Sequence, residues 1–267
     1  MSVLDSYGRE LQYLRISVTD RCNLRCVYCM PAEGVKLLRH EDILSYEQIA
    51  AVARAAARLG FGKIRLTGGE PLVRKGISDL VGLLRAIPEV RVIAMTTNGT
   101  LLPPLAAELK AAGLDSVNVS LDTLDEARYA MLTRGGRLRD ALAGIDAALA
   151  ASLPVKLNVV AMEDSTEKEH QELREYADSV GASFQFIARY SLRDEKMDGG
   201  EYDRPPPCGV CDRLRLLANG SLRPCLHGNI EVPVDFSDIE GSIRKAARLK
   251  PARGHTCDDL EVGQIGG

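Results

Sequence analysis

No apolar run in the sequence approaches the ~20 residues that a membrane-spanning helix needs. Nor does the chain open with the charged, apolar and small-residue pattern of a secretory signal. Net charge is also nearly absent, since 34 basic residues against 37 acidic ones leave −3. That balance excludes an extended nucleic-acid surface, so any anion site must be a local arginine cluster. An even cysteine count is missing too. Seven cysteines without a signal peptide argue for metal or catalysis rather than disulfides. A soluble, cytoplasmic chain without membrane or nucleic-acid partners is the expectation.

Enough is present for a large core. The 267 residues are 45% hydrophobic, which suffices without covalent staples. Strand-like and helix-like stretches alternate from the start. A strand is predicted at Leu11–Thr19, then a helix opened by a capping box at Ser45-Tyr-Glu-Gln48 and running to Leu59. Further strands are predicted at Lys63–Thr67, Arg91–Thr97, Asp115–Leu121, Val155–Val160 and Ser183–Ile187. Helices near Gly76–Ala86, Leu101–Ala112, Arg137–Ala151 and Thr166–Val180 fall between them. Six strands with intervening helices predict a parallel α/β sheet whose site lies at the strand C-termini. The pattern ends after Ile187. Residues 1–190 form the main unit, 191–207 read as a charged Gly/Pro-rich linker, and 208–267 form a short segment with a turn at Asn219-Gly220 and a polar tail.

The cysteines fall into two groups and a singleton. Cys22-Asn-Leu-Arg-Cys26-Val-Tyr-Cys29 has the spacing C-x3-C-x2-C straight after a strand. Three thiolates suit a [4Fe–4S] cluster, whose iron prefers sulfur. Three ligands for four irons leave one iron open. The chemical use of that vacancy is to bind S-adenosylmethionine (SAM) and reduce its sulfonium to a 5′-deoxyadenosyl radical. A zinc site would want a fourth protein donor, and none sits nearby. The second group is Cys208-Gly-Val-Cys211 with Cys225 after thirteen residues. Here His227 or Cys257 could complete a structural zinc site, so cluster and zinc both stand. Arg213 and Arg215, two apart on a strand, face the same way, and their forks suit phosphate or carboxylate.

The stretch Leu14-Arg-Ile-Ser-Val-Thr-Asp-Arg-Cys-Asn-Leu-Arg-Cys-Val-Tyr-Cys-Met-Pro31 closely resembles the opening of the GTP 3′,8-cyclases of molybdenum cofactor biosynthesis. Arg65-Leu-Thr-Gly-Gly-Glu-Pro71, Thr96-Thr-Asn-Gly99, Ser120-Leu-Asp122, the Cys208–Cys225 segment and the final Ile265-Gly266-Gly267 resemble later parts of that family in order. The resemblance implies a partial (β/α)6 TIM-like radical SAM barrel with a C-terminal auxiliary-cluster segment. It implies two [4Fe–4S] clusters, on Cys22, Cys26 and Cys29 and on Cys208, Cys211 and Cys225. By the same resemblance Tyr28, Gly69 and Ser120 contact SAM, while Arg15, Arg65, Thr96, Lys156, Arg213 and Arg215 hold GTP. Arg213, Arg215, Gly266 and Gly267 would serve catalysis. The implied lyase converts GTP to 3′,8-cyclo-7,8-dihydro-GTP, passed to a cyclic pyranopterin monophosphate synthase, with electrons from a flavodoxin or ferredoxin; a homodimer is allowed.

Three departures accompany the resemblance. The stretch before Cys208 is several tens of residues shorter than in the family, which implies a shortened or rebuilt cavity wall. Ala188 replaces an acidic residue and Tyr190 a methionine. Cys257 has no counterpart; as a fourth ligand it would close the open iron of the second cluster, and as a bystander it would not. Two rivals follow: a radical SAM enzyme acting on a peptide or other small substrate, and a zinc-binding interaction protein that keeps the fold.

Overall fold

A computed structural model describes residues 2–189, 191–196 and 207–266; Tyr190, Gly267 and most of the expected linker lie outside them. The chain opens with β1 (Val3–Leu4) and β2 (Glu10–Leu11), a short antiparallel ladder. The single strand expected over Leu11–Thr19 is therefore divided. At Gln12 the backbone leaves the ladder, and the N–H groups of Gln12 and Tyr13 both donate to Asp212 O, at 3.1 and 3.2 Å.

From there β3 (Tyr13–Ser17) starts a second sheet, continued in sequence order by β4 (Lys63–Thr67), β5 (Val92–Thr97), β6 (Ser116–Ser120), β7 (Val155–Ala161) and β8 (Ser183–Ala188), all parallel. This is the expected partial (β/α)6 arrangement. Its strands alternate rather than running apolar throughout. Leu14, Ile16, Ile64, Leu66, Val117, Val119, Leu157 and Val159 are buried on the outer face, against the helices. The residues between them, from Arg15 and Arg65 to Asn118 and Asn158, face inward. A period of two thus separates core from site.

The covering helices have local causes. α1 (Tyr46–Arg58) starts at the predicted capping box, with both halves formed: Gln48 N donates to Ser45 Oγ at 3.2 Å and Ser45 N to Gln48 Oε1 at 2.8 Å. Its alanines allow close packing on α2 (Ile77–Arg85). α3 (Ala106–Ala111) is shorter than expected, because Pro103 and Pro104 cannot supply helical N–H donors. α4 (Glu126–Thr133) was not anticipated; α5 (Leu138–Ala150) and α6 (Glu167–Ser179) match expectation within one residue at each end.

The C-terminal segment extends the same sheet. β9 (Arg213–Leu216) pairs in parallel with β3, followed by antiparallel β10 (Ser221–Arg223) and β11 (Val232–Pro233). The expected turn at Asn219-Gly220 joins β9 to β10, with Asn219 Oδ1 accepting from Ser221 N at 3.0 Å. The expected polar tail contains α7 (Ile239–Arg248), whose Ile243, Ala246 and Ala247 join the core at helical spacing. Beyond it, Arg223 clasps the chain. Fully buried, its guanidinium pairs with Asp259 at 2.6 Å and Glu231 at 3.1 Å and donates to Cys257 Sγ at 3.0 Å. A final turn, α8 (Val262–Ile265), buries Ile265 against Leu192, Leu217 and Cys257.

One contact makes helix packing sensitive. A Cβ on Gly144 in α5 would overlap the carbonyl of Gly99, in the loop after β5. Gly144→Ala should therefore lower the thermal midpoint, even though alanine is the better helix former by ~1 kcal/mol. The expected overpacking cost is ~1–3 kcal/mol, read by denaturation of the reconstituted protein; an unchanged or higher midpoint would contradict this packing.

Candidate active site

The first cysteine loop leaves the C-terminal end of β3 and is held on three sides. Asp20, buried, accepts from Leu38 N at 2.5 Å and pairs with Arg21 at 3.2 Å. The end of α4 supplies carbonyls: Arg25 N donates to Thr133 O at 3.2 Å and Val27 N to Leu132 O at 2.9 Å. Arg134, just past α4, donates to Arg25 O at 2.9 Å and Met30 O at 2.8 Å. From the opposite side the Gly68-Gly69 turn after β4 docks through Gly69 N to Thr19 O, 2.9 Å. A Cβ on Gly69 would overlap Arg21 O, which is why glycine stands there.

Cys22, Cys26 and Cys29 line one open cavity of about 1030 Å³. Tyr28, Gly69 and Ser120, the expected SAM contacts, line it as well, together with Thr96, Asn98, Asn158, Val160 and Ala188. Burial pushes all three thiols upward, Cys26 to about 12 with the Asp122 carboxylate adding to the effect. Three sulfurs that resist ionisation in isolation, gathered on one wall, suit iron, whose positive charge replaces the protons. Tyr28 Oη donates to Asp122 at 2.6 Å, and Val160 N donates to the other oxygen of that carboxylate at 2.8 Å. Glu70, buried after the glycine turn, accepts from Leu72 N, Thr97 Oγ1 and Asn98 N at 3.0, 2.8 and 2.7 Å. Burial moves its carboxyl up to about 7. Glu70 therefore ties the loops after β4 and β5 together beneath the cavity.

The arginines owe their arrangement to register. In the β9–β3–β4 pairing, Arg215, Arg15 and Arg65 are direct neighbours in one row, and Arg213, Tyr13 and Lys63 in the row below. Arg65 Nη1 also donates to Thr96 Oγ1 at 3.2 Å, joining the row to the first cavity. Arg15 and Arg215 both donate to the carbonyl of Gly266, at 3.4 and 3.0 Å. Gly266 adopts φ +74°, and a Cβ there would overlap Thr67 Oγ1. The chain end thus reaches the arginine row, steadied where Gly263 N donates to Cys29 O at 3.3 Å. Lys156 lies farther round the sheet, paired with Asn118 on β6.

Cys208, Cys211 and Cys225 line a second pocket of about 520 Å³, with Arg213, Arg215, His227 and Lys250. Buried Lys250 is the organising residue. Its ammonium donates to Arg213 O and Pro224 O, both at 2.8 Å, and to Cys211 Sγ at 3.4 Å. Burial opposes ionisation of the Cys211 thiol, but Lys250 and Arg213 together outweigh it and the net shift is downward. Gly254 N donates to Cys208 Sγ at 3.4 Å. Cys257 is not among the lining residues; it is fully buried beside Arg223 and donates to Asp259 at 3.2 Å. Among the described residues, no three His, Cys, Asp or Glu side chains are arranged for a single metal ion. No helix among them is long and apolar enough to cross a membrane.

Sequence reasoning missed Tyr13, Glu70, Lys250 and the Arg223 clasp. Glu70 sat inside a quoted motif. Lys250 and Arg223 carried little local signal: apart from Glu231, eight residues from Arg223, their partners lie 26 to 39 residues away in sequence.

The chain matches the Radical SAM superfamily over residues 16–177. It is 44% identical to the GTP 3′,8-cyclase of Pelotomaculum thermopropionicum, over 98% of this chain and 99% of that one. Identity to the GTP 3′,8-cyclase of Moorella thermoacetica is 40%, over 98% and 99%. The first of these alignments spans 324 positions against 267 residues here, so that relative carries several tens of residues this chain lacks. In fold it resembles Streptococcus suis SuiB bound to S-adenosylmethionine, with a TM-score of 0.70 at 15% identity, covering 92% of this chain and 66% of SuiB. The chain therefore belongs to the GTP 3′,8-cyclase family of the radical SAM superfamily.

Proposed function

We propose that this enzyme converts GTP to 3′,8-cyclo-7,8-dihydro-GTP, the first step of molybdenum cofactor biosynthesis. The observation that carries this reading is the Gly266 carbonyl held between Arg15 and Arg215, on a residue packed so close to Thr67 of the first cavity that a Cβ would overlap its Oγ1, and beside the second cysteine pocket. As a radical SAM family member the enzyme uses SAM and a [4Fe–4S] cluster. Cys22, Cys26 and Cys29 fit that cluster, which when bound supplies the electron for one-electron cleavage of SAM.

The rest is the work of this chain's own residues. Tyr28, Gly69 and Ser120 position SAM in the first cavity. Arg15, Arg65, Thr96, Lys156, Arg213 and Arg215 hold GTP, the guanidinium forks taking the triphosphate by charge-assisted contacts. Orientation of the ribose toward SAM and exclusion of water are the main contributions to rate. Gly266 closes the cavity end, and Gly266 and Gly267 act with Arg213 and Arg215 in ring closure. Cys208, Cys211 and Cys225 would hold a second [4Fe–4S] cluster, which would supply a Lewis-acidic contact for the guanine. A downstream cyclic pyranopterin monophosphate synthase and a flavodoxin or ferredoxin donor complete the reading, in the cytoplasm and with a homodimer allowed. Likeness to SuiB is a likeness of fold and does not favour a peptide substrate.

Three experiments test this assignment. Cys26→Ser should abolish 5′-deoxyadenosine formation from SAM, since a hard oxygen donor holds iron poorly; wild-type rates would end the cluster assignment. Removal of Gly266 and Gly267 should leave both clusters and uncoupled SAM cleavage while eliminating cyclised GTP on product analysis. Full product formation by that truncation would remove the tail from the mechanism. Cys257→Ser should retain about eight irons per chain, the content of two four-iron clusters. Loss of iron would make Cys257 a ligand and close the second cluster to substrate.

A further inference from the structure

Tyr13 stands out at the floor of the arginine site. It is the one acidic side chain in the lower register row, flanked directly by Lys63 on β4 and Arg213 on β9. Its phenol oxygen accepts from Arg65 Nε at 2.5 Å and from Arg15 Nη1 at 3.4 Å. Its ring lies under two cations, with Lys63 Nζ 4.8 Å and Arg213 Cζ 5.4 Å from the centroid. Tyr13 is buried, as are Arg15, Arg65 and Arg215.

Guanidinium groups in adjacent rows repel one another unless something between them accepts hydrogen bonds and carries compensating charge. A phenol does the first and, once ionised, the second, while Leu14 and Ile16 on the same strand face the core on its other side. We propose that Tyr13 is a positioning residue for the polyphosphate site, holding Arg15 and Arg65 apart and regaining a proton from solvent when an anion binds. This rests on the reading of the arginine row as the site for the GTP triphosphate.

The proton follows from the surroundings. Burial opposes ionisation of Tyr13, yet Arg15, Arg65 and Arg213 together bring its hydroxyl down to about 8. Lys63 adds a further positive neighbour over the ring. A bound triphosphate neutralises those cations and returns the hydroxyl toward its ordinary range near ~10. Anion binding above pH ~8 is therefore coupled to uptake of one proton, and affinity falls with rising pH by up to ~tenfold per unit. The terminal phosphate of GTP loses its last proton near pH ~6, below this window.

The test uses the reconstituted holoenzyme and two probes, GTP and methyl triphosphate, both with a terminal phosphate that is fully ionised below this window. Wild type should bind both progressively more weakly from pH 8 to 9 and should take up a proton at pH 8.5, read by calorimetry in two buffers of different ionisation enthalpy. Tyr13→Phe should bind more weakly than wild type at pH 7, with a flat profile to pH 9. In turnover its loss should sit in KM for GTP rather than in kcat. Triphosphate binding without proton uptake, or matching pH profiles in the two proteins, would overturn the role of Tyr13 while leaving the GTP reading intact. Proton-linked binding of methyl triphosphate by an enzyme that does not bind GTP would sustain Tyr13 and overturn GTP as the substrate. The calorimetric measurement needs no variant, so a misfolded Tyr13→Phe protein would not shield the proposal.

Discussion

The parallel pairing of β9 with β3 is the contact on which the site depends. It brings a strand from beyond residue 208 against the first long strand, so that Arg215 meets Arg15 and, across it, Arg65. No single strand could gather that charge, since residues two apart on one strand lie ~6–7 Å from each other while cross-strand neighbours lie ~5 Å apart. The same pairing brings the second cysteine pocket to the edge of the arginine row. It also gives the chain end a place to go: the Gly266 carbonyl is an acceptor for two of these guanidinium groups.

Such a concentration of positive charge needs support, and the structure supplies it with small, separate devices. Tyr13 accepts from Arg65 and Arg15 below the row. Lys250 anchors β9 and the Pro224 carbonyl beside the second cysteines. The Arg223 clasp fixes the tail that delivers Gly266, through Asp259 and Cys257. Removing one member of such a buried set leaves the others uncompensated, which costs more than the set contributes in net stability. The frame needs none of the several tens of residues that the Pelotomaculum thermopropionicum relative carries beyond this chain, because it is made by strand register and tail anchoring.

Much of this is legible in the chain itself. Alternation in Leu14–Ser17, Lys63–Thr67 and Val155–Val160 marks the strands and tells inward from outward residues, and the Ser45–Gln48 capping box marks the start of α1. The cysteine spacing by itself points to an iron–sulfur loop. What escapes is long-range or marginal in signal. α4 has weak amphipathicity but provides the carbonyls that dock the cysteine loop. The break at Gln12 depends on Asp212, two hundred residues away. Cys257, odd as a seventh cysteine, finds its partners in Arg223 and Asp259 through folding of the tail, which no spacing encodes.

The central claim is that SAM in the first cavity acts on the ribose of a nucleotide held by the arginine row. Its most direct measurement is the mass of 5′-deoxyadenosine formed from GTP carrying deuterium at ribose C3′. Anaerobic turnover should yield 5′-deoxyadenosine one mass unit heavier, in step with cyclised product. Unlabelled 5′-deoxyadenosine accumulating while labelled GTP is consumed would contradict the account.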